Sequence, residues 1–349
     1  MATETITTEK PVAVTTEKPE TTTTEQTETT TAEKTETIPT EQTETTPTEK
    51  TESTPSEKPS TPGDSEKGYP GMQPIVLYDP VKEPHVLKEF VGEPCFFAGG
   101  QYAILLQFAH PGLARGSLEH SEFADRILNR LKTTTRFLTA CVFGTPEERK
   151  AVFGIIHRAH SVVKGDGYYA DDPELHKWTA ATLFMSLLVV HEAVWGKDKI
   201  PQWKVEALFR ETSVYATSLR MPTEMWPKTL DDFWVYWNHN IETLEVTHWA
   251  KTLMKALMWP KVPFPMSAAS PLLRLWTTAF LPERMRNEYE LPWTKKQQRL
   301  YKYSMGYFRI TYRMIPPPIR GSVATFTQWE MRKAVKRIQK TGSWKKSAQ

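Results

Sequence analysis

The stretch TPEERKAVFGIIHRAHSVV, residues 145–163, predicts a well-bounded helix. Thr145 is a favourable N-cap, and Pro146 suits the first helical position because its missing N–H would be unpaired there anyway. Glu148, three residues after the cap, completes a capping box. The following Lys164-Gly165 pair ends the helical pattern. The sequence therefore gives both ends of this helix a physical cause.

An apolar stripe runs along the same helix at 3-4-3 spacing and consists of Phe153, Ile156, His160 and Val163. An imidazole within an apolar stripe needs a partner, since a buried polar group without one is costly. The partner is either a hydrogen bond or a metal. His157, three residues earlier, can ligate the same metal as His160, although zinc sites of the HExxH type use spacing of four and an adjacent Glu. For a helical His pair of this kind, a structural role is the more frequent one.

On both sides of this helix, apolar residues recur at helical spacing and no segment alternates with a period of two. We predict an all-α fold, a single multi-helix globular domain over residues 69–340. The 12 Trp and 15 Phe suit broad helix interfaces or a large apolar pocket. Residues 69–97 are expected to be irregular and 260–271 to form a loop. Helices are predicted over 101–108, 113–123, 124–142, 172–196, 202–220, 229–244, 247–258, 272–280, 293–314 and 324–340.

The two ends of the chain differ from the middle in composition. Residues 1–68 are almost entirely Thr, Glu, Lys, Pro, Ser and Gln, with 15 acidic residues and 6 Lys. Such a segment cannot bury enough apolar surface to offset its ordering entropy, so we expect a disordered tail. Residues 341–349 are expected to form a short basic tail. The long tail carries −9 and the whole chain +3, which leaves +12 on residues 69–349.

A basic folded part suggests an anionic partner, either lipid headgroups, nucleic acid or an anionic cofactor, with a merely solvated basic surface as the alternative. No apolar run is expected to reach the ~18 residues that span a bilayer, and the N-terminus resembles neither a secretory signal nor a mitochondrial presequence. Two cysteines, Cys95 and Cys141, exclude a disulfide scaffold. We expect a cytoplasmic protein, with peripheral contact to the endoplasmic reticulum membrane as a further option.

Other candidate site residues lie before this helix. Arg130 and Thr134 are one turn apart on a predicted helix and share a face, where Arg130 can hold a carboxylate. A surface ion pair is the alternative for Arg130. His110 precedes a Pro-Gly turn, and His120 precedes Ser121-Glu122. Each of these two histidines, taken alone, is more often a capping or core residue than a ligand.

The order of six motifs, however, resembles a known family. The motifs are AGGQYAILLQFAHPGLARGSLEHSEF (98–123), RLKTT (130–134), FG (143–144), HRAHSVVKG (157–165), YYADDPELHKW (168–178) and LPERMRNEYELPW (281–293). Together they resemble the DUF2236 family, which contains the latex-clearing rubber oxygenases and the fungal ER-bound oxygenase of mycophenolic acid biosynthesis. The resemblance covers residues 95–300.

The resemblance implies an all-helical fold that holds haem b in an apolar interior. It assigns the iron to the second histidine of an H-x-x-H pair, which is His160, the residue on the apolar stripe. His157 is then a supporting or propionate-side group. The family's R-x-x-x-T corresponds to Arg130 and Thr134, placed on the distal side near oxygen and substrate as catalytic residues. His110 and His120, within the first motif, are further cofactor-binding candidates.

One departure bears on the substrate. The rubber-cleaving branch has a lysine three residues after the motif arginine, where this chain has Thr133, and Lys132 lies roughly 100° around the helix. We therefore expect a haem-b oxygenase of secondary metabolism that acts with dioxygen on another hydrophobic small molecule, isoprenoid- or polyketide-like, by oxygen addition to or cleavage of a C=C bond. No nucleic acid partner is expected. The alternatives are a non-catalytic haem- or lipid-binding protein and a metal-free structural protein.

Overall fold

Helices packed around one long central helix make up the described part of this protein. The computed structural model describes residues 84–120, 127–196 and 199–344. In chain order the elements are α1 (His85–Val91), a 3-10 helix η1 (Pro94–Gly99), α2 (Gly100–Ala109), α3 (Pro111–Glu119), α4 (Ile127–Phe143), α5 (Pro146–Ser161), β1 (Lys164–Gly165), β2 (Tyr168–Tyr169), α6 (Pro173–Trp195), α7 (Gln202–Thr212), α8 (Val214–Thr217), η2 (Thr223–Met225), α9 (Leu230–Thr243), α10 (His248–Met258), α11 (Met266–Phe280), α12 (Glu283–Glu288), α13 (Lys295–Met314) and α14 (Pro317–Thr341). The all-α prediction is confirmed.

Helix α6 lies in the core, with 15 of its 23 residues buried. It packs against α2, α7, α8, α13 and η1. Trp178 on α6 donates its indole N–H to the carbonyl of Leu106 at 2.9 Å, and Phe184 meets the ring of Phe233 edge-on with centroids 5.0 Å apart. Each fully buried large apolar side chain contributes ~1.5–3 kcal/mol. The burial of α6 therefore holds the surrounding helices together.

Helix α5 forms as its local sequence predicts. The N–H of Glu148 donates to Thr145 Oγ1 at 3.3 Å, and the N–H of Thr145 donates to Glu148 Oε2 at 3.0 Å, which confirms the capping box. Phe153 and Ile156 are buried. Phe153 packs against Phe137 of α4 with ring centroids 5.6 Å apart. The predicted apolar stripe thus faces the core at this level of the helix.

Three sequence predictions of irregular structure were wrong. Residues 85–91 form α1 because Pro84 precedes the helix rather than interrupting it, and Leu87 and Phe90 supply a buried face. Helix α11 begins at Met266 and continues through Pro271. The proline removes one helical hydrogen bond in the exposed first half, while the buried half that follows supplies the packing.

The third error concerns the C-terminal helix, which begins at Pro317 rather than near Ala324, because Pro suits the first position of a helix. Helix α14 ends at Thr341, with Gly342 in the left-handed conformation at φ 69°. Within the predicted basic tail, Trp344 lies against the guanidinium of Arg136, 5.8 Å from its ring centroid. The predicted disordered tail, residues 1–68, and residues 345–349 lie outside the described residues.

A hairpin of two strands, each two residues long, is the one piece of β structure in the described ranges. Lys164 pairs with Tyr169 and Gly165 with Tyr168, antiparallel. The hairpin leads the chain from the end of α5 to the start of α6. It is therefore what brings the His157–His160 segment next to the residues that precede α6.

By length and composition, helix α6 could also cross a membrane, since an 18-residue segment of it has a mean hydropathy of 1.3. This corrects the expectation that no segment reaches that length. About 67% of that segment is buried inside the protein, however. The apolar character of α6 is therefore accounted for by its place in the core.

Candidate functional site

Asp171 lies two residues before the first residue of α6, and the polar contacts of the site converge on it. The adjacent Asp172 caps α6 by accepting a hydrogen bond from the N–H of Glu174 at 2.9 Å. The side chain of Asp171 itself is only 7% exposed. A carboxylate buried to this extent must be paired, because an uncompensated buried charge is strongly destabilising.

One oxygen of this carboxylate is held by two side chains. Oδ2 of Asp171 accepts from His157 Nδ1 at 3.1 Å and from Arg220. A second nitrogen of Arg220 donates to His157 Nε2 at 2.6 Å. Because an arginine can only donate, Nε2 of His157 is the acceptor, and its proton lies on Nδ1 facing the carboxylate. His157 therefore uses both ring nitrogens within this cluster.

The other oxygen of Asp171 faces two further histidines. Oδ1 lies 3.7 Å from His160 Nδ1 and 3.8 Å from His176 Nε2. The two imidazole rings stack with centroids 5.8 Å apart. All three atoms are buried without a hydrogen-bond partner among the described residues. Such atoms are costly to leave unpaired, and their convergence marks a place built for a closer contact or for an added ligand.

The charges of the cluster fix its protonation. Burial raises the pKa of the Asp171 carboxyl, but His176 and Arg220 lower it by more, so that pKa lies below its usual range. Burial lowers the pKa of His160 to about 4, and the charges of His176, Arg130 and Arg220 act in the same direction against Asp171. At neutral pH the carboxyl is ionised and His160 is neutral. A neutral imidazole has the lone pair that a metal requires.

His160 is partly accessible. Its side chain keeps 31% of its surface accessible, although Nδ1 is buried. The ring thus has its Nδ1 edge against Asp171, and part of its remaining surface is accessible.

Arg130 and Thr134, one turn apart on α4, are both exposed. Burial nevertheless lowers the pKa of Arg130. The charge of Arg130 also lowers the pKa of His160, so Arg130 lies within electrostatic range of that histidine. The roles of Arg130 and Thr134 stay predictions.

The two remaining candidate histidines make contacts elsewhere. Nδ1 of His110 accepts from the N–H of Gly112 at 3.2 Å and so caps α3. Nε2 of His120 lies 2.9 Å from the hydroxyl of Tyr168. These contacts tie both histidines to the α3 region rather than to Asp171, and their part in cofactor binding stays a prediction.

Sequence reasoning did not single out Asp171, His176 or Arg220. The first two lie in the motif YYADDPELHKW, where paired aspartates before a helix and a histidine one turn later could have drawn attention. Arg220 had no local signal. It follows α8 with φ 70°, a left-handed conformation that is uncommon for a residue with a side chain, and it reaches across 49 residues to Asp171.

Lys132 lies away from the proposed distal face. Its ammonium contacts Glu330 of α14 at 3.0 Å, and Arg136 contacts the same carboxylate at 3.1 Å. The lysine next to the position that the rubber-cleaving branch uses is therefore engaged with another helix. This agrees with the difference in sequence at Thr133.

Comparison with known proteins adds a family. The model of the family described as "ER-bound oxygenase mpaB/B'/Rubber oxygenase, catalytic domain" matches residues 88–315. Uncharacterized proteins of Mycobacterium bovis and Mycobacterium tuberculosis are each 27% identical over 240 residues, which cover 66% of this chain and 93% of theirs. No solved structure matches the chain. The matched range contains α2 to α13 and every residue of the Asp171 cluster.

Proposed function

The chain belongs to the family of ER-bound oxygenases mpaB/B' and rubber oxygenases, as a catalytic domain, and from this membership we propose that it is a haem-b-dependent oxygenase with a lipophilic, isoprenoid- or polyketide-like substrate. The observation that carries the cofactor assignment is His160, a neutral imidazole that has its Nδ1 edge against a buried carboxylate and keeps part of its side chain accessible. This arrangement suits a residue that would hold the haem iron.

The residues present fit such a group. His160 would hold the iron through Nε2, because Nδ1 faces Asp171. Histidine ligands usually donate their other N–H to a carboxylate or carbonyl, which fixes the tautomer and ring orientation. Asp171 Oδ1 is a buried acceptor that has no partner among the described residues, so a small closing movement towards His160 would satisfy both atoms.

Haem b, when bound, supplies an iron centre that activates dioxygen. A histidine ligand donates less electron density than a thiolate, which favours oxygen addition to a C=C bond over the hydroxylation typical of P450 enzymes. In this chain, Arg130 supplies a fixed positive charge near His160, able to bind an acidic group of the substrate, and Thr134 offers a hydroxyl one turn away. After the closing movement described above, Asp171 would hold the proton on Nδ1 of His160.

A second candidate rests on the same three unpartnered atoms. His160, Asp171 and His176 each offer a ligand atom, and these atoms lie within 4.8 Å of one another. Two histidines and one carboxylate are the ligand set of non-haem Fe(II) oxygenases. In this reading a divalent iron binds the side chains directly. The distinguishing residue is His176, which is a ligand in the second reading and only a neighbour in the first.

The test is the cofactor content of the purified full-length protein, measured as the Soret band, as haem in the pyridine haemochrome assay and as total iron. We expect haem in the wild type, most of it lost in His160→Ala, and haem retained with an altered spectrum in His157→Ala. Consumption of dioxygen with alkene-containing substrates then separates an oxygenase from a non-catalytic haem protein.

The variant His176→Ala decides between the two candidates. Retained haem in this variant supports the haem assignment, whereas iron without haem in the wild type, lost in His176→Ala, supports direct ligation. Equal haem content in wild type and His160→Ala would contradict the assignment of the iron ligand. The thermal unfolding midpoint of each haem-free protein shows whether a loss of cofactor reflects loss of the fold.

A further inference from the structure

Helix α13 is apolar on two opposite sides. Its inner side carries the buried residues Met305 and Tyr312. A second apolar row faces outward, and we call it the outer stripe; its members are Leu300 (55% exposed), Tyr303 (75%), Tyr307 (72%), Ile310 (65%) and Met314 (76%). A surface helix normally has polar residues on the side away from the core, so an outward apolar row needs a separate cause.

The spacing of the outer stripe is regular. Successive members are three or four residues apart, which at 100° per residue places all five within about 80° of the helix circumference. The row is about 21 Å long at 1.5 Å per residue. Scattered single apolar residues are normal on a protein surface, but a continuous row of this length marks a contact surface.

The charge on the same helix has one sign. Helix α13 contains no acidic residue, and its basic residues are Lys295, Lys296, Arg299, Lys302, Arg309 and Arg313. Arg309 and Arg313 donate to the carbonyls of Ala193 and Val194, which anchors α13 to the end of α6. The four basic residues nearer the start of the helix are exposed. The outer stripe is therefore bordered by exposed positive charge.

We propose that the outer stripe of α13 docks on an anionic lipid bilayer, with its aliphatic and tyrosine side chains in the headgroup–acyl boundary and its basic residues on the headgroups. A helix with an apolar face, a basic flank and no acidic residue is the kind that lies in a membrane interface. Each basic residue near an anionic surface contributes about a fivefold increase in affinity.

Charge argues against a second copy of this chain as the occupant. A symmetric pair formed through this helix would bring two identical basic surfaces together, and like charges across an interface are unfavourable. An anionic lipid surface is complementary to the same residues. The proposal does not depend on the cofactor, and it names the face through which the expected peripheral contact occurs.

The test is co-sedimentation of the full-length protein with vesicles of phosphatidylcholine and phosphatidylserine, compared with vesicles of phosphatidylcholine alone. We expect binding to the anionic vesicles that weakens as salt is raised. The affinity of the triple variant Tyr303→Ser, Tyr307→Ser, Ile310→Ser should fall at least about tenfold, because the variant removes the apolar part of the contact. The double variant Lys296→Gln, Arg299→Gln should lose about fivefold for each charge.

A matched control is available in Trp203→Ser with Val235→Ser, since these residues are 64% and 72% exposed on α7 and α9. We expect this control to bind like the wild type. A wild-type protein that binds neither kind of vesicle overturns the proposal, and so does a triple variant that binds as well as the wild type. Light scattering that shows a wild-type dimer and a monomeric triple variant would assign the stripe to self-association instead.

Discussion

Two histidine–carboxylate clusters lie near the hairpin, one around Tyr168 of β2 and one around Asp171, which follows β2. They differ in how completely their polar atoms are paired. In the Tyr168 cluster, the tyrosine hydroxyl donates to Glu119 at 2.5 Å and contacts His120 at 2.9 Å, and Arg115 donates to Glu119 at 2.7 Å. In the Asp171 cluster, three residues further on, one carboxylate oxygen and two imidazole nitrogens are buried without partners in the described part of the chain.

From this difference we expect a structural role for the Tyr168 cluster and a functional role for the Asp171 cluster. The polar groups of the Tyr168 cluster are partly exposed and form hydrogen bonds with one another. The Asp171 carboxylate is only 7% exposed, and among the described residues it accepts hydrogen bonds only from His157 and Arg220. Natural proteins leave buried polar groups unpaired mainly where function requires it. Substitutions in the two clusters should therefore differ in kind as well as in size.

The largest effect is expected for Asp171→Ala. The substitution removes the partner of Arg220, and breaking a buried ion pair typically costs ~3–5 kcal/mol. We expect the free energy of unfolding, measured in urea, to fall by that amount, together with a loss of haem. The neighbouring Asp172→Ala removes only the cap of α6 and should cost ~1 kcal/mol. Similar losses in the two variants would show that Asp171 is not the centre of the cluster.

Next in size is Arg130→Ala, whose effect should appear in rate rather than stability. Removing a charged, preorganised donor from an active site typically lowers the rate ~10²–10³-fold. We expect that loss in oxygen-dependent turnover, with haem content and melting temperature unchanged. Lys132→Ala is the control, because Lys132 contacts Glu330 on another face of α4. Unaltered turnover in Arg130→Ala would make it a surface residue, like those of the Tyr168 cluster.

A smaller effect is expected for Tyr168→Phe. It removes a hydrogen bond to Glu119 and the contact of His120 in a partly exposed setting. The cost should be about 1 kcal/mol in the free energy of unfolding. Haem content and turnover should stay at wild-type values. A loss of haem in this variant would show that the two clusters act together, and it would support a role for His120 in cofactor binding.

The smallest effect is expected for Glu330 of α14, which forms ion pairs with Lys132 and Arg136 of α4. Burial raises the pKa of Glu330, but Lys132 and Arg136 lower it by more, so the net shift is downward. A carboxyl with a lowered folded pKa stabilises the protein above its unfolded pKa of about 4.3 and loses that contribution as the pH falls through the folded value. Glu330→Gln should cost up to about 1 kcal/mol at pH 7 and less below pH 4, by urea unfolding at both pH values.

Several features could be predicted because the residues that cause them lie close to one another in the sequence. The capping box of Thr145 and Glu148 spans four residues, and the stripe through Phe153 and Ile156 follows from helical periodicity alone. The order of the motifs was enough to identify the family. By contrast, a proline rule applied locally misplaced the start of α11, because burial of its second half outweighs one missing hydrogen bond.

The sequence by itself determined the helical class and, through the order of its motifs, the family, and the periodicity of one helix together with those motifs predicted His160. Only the tertiary structure decided what surrounds that histidine. Arg220 meets Asp171 across 49 residues and His157 across 63, through contacts that exist only once α8 has packed against α6. Periodicity assigns a residue to a face of its helix, but which charges share a buried site depends on how separate helices pack, and no local pattern encodes that pairing.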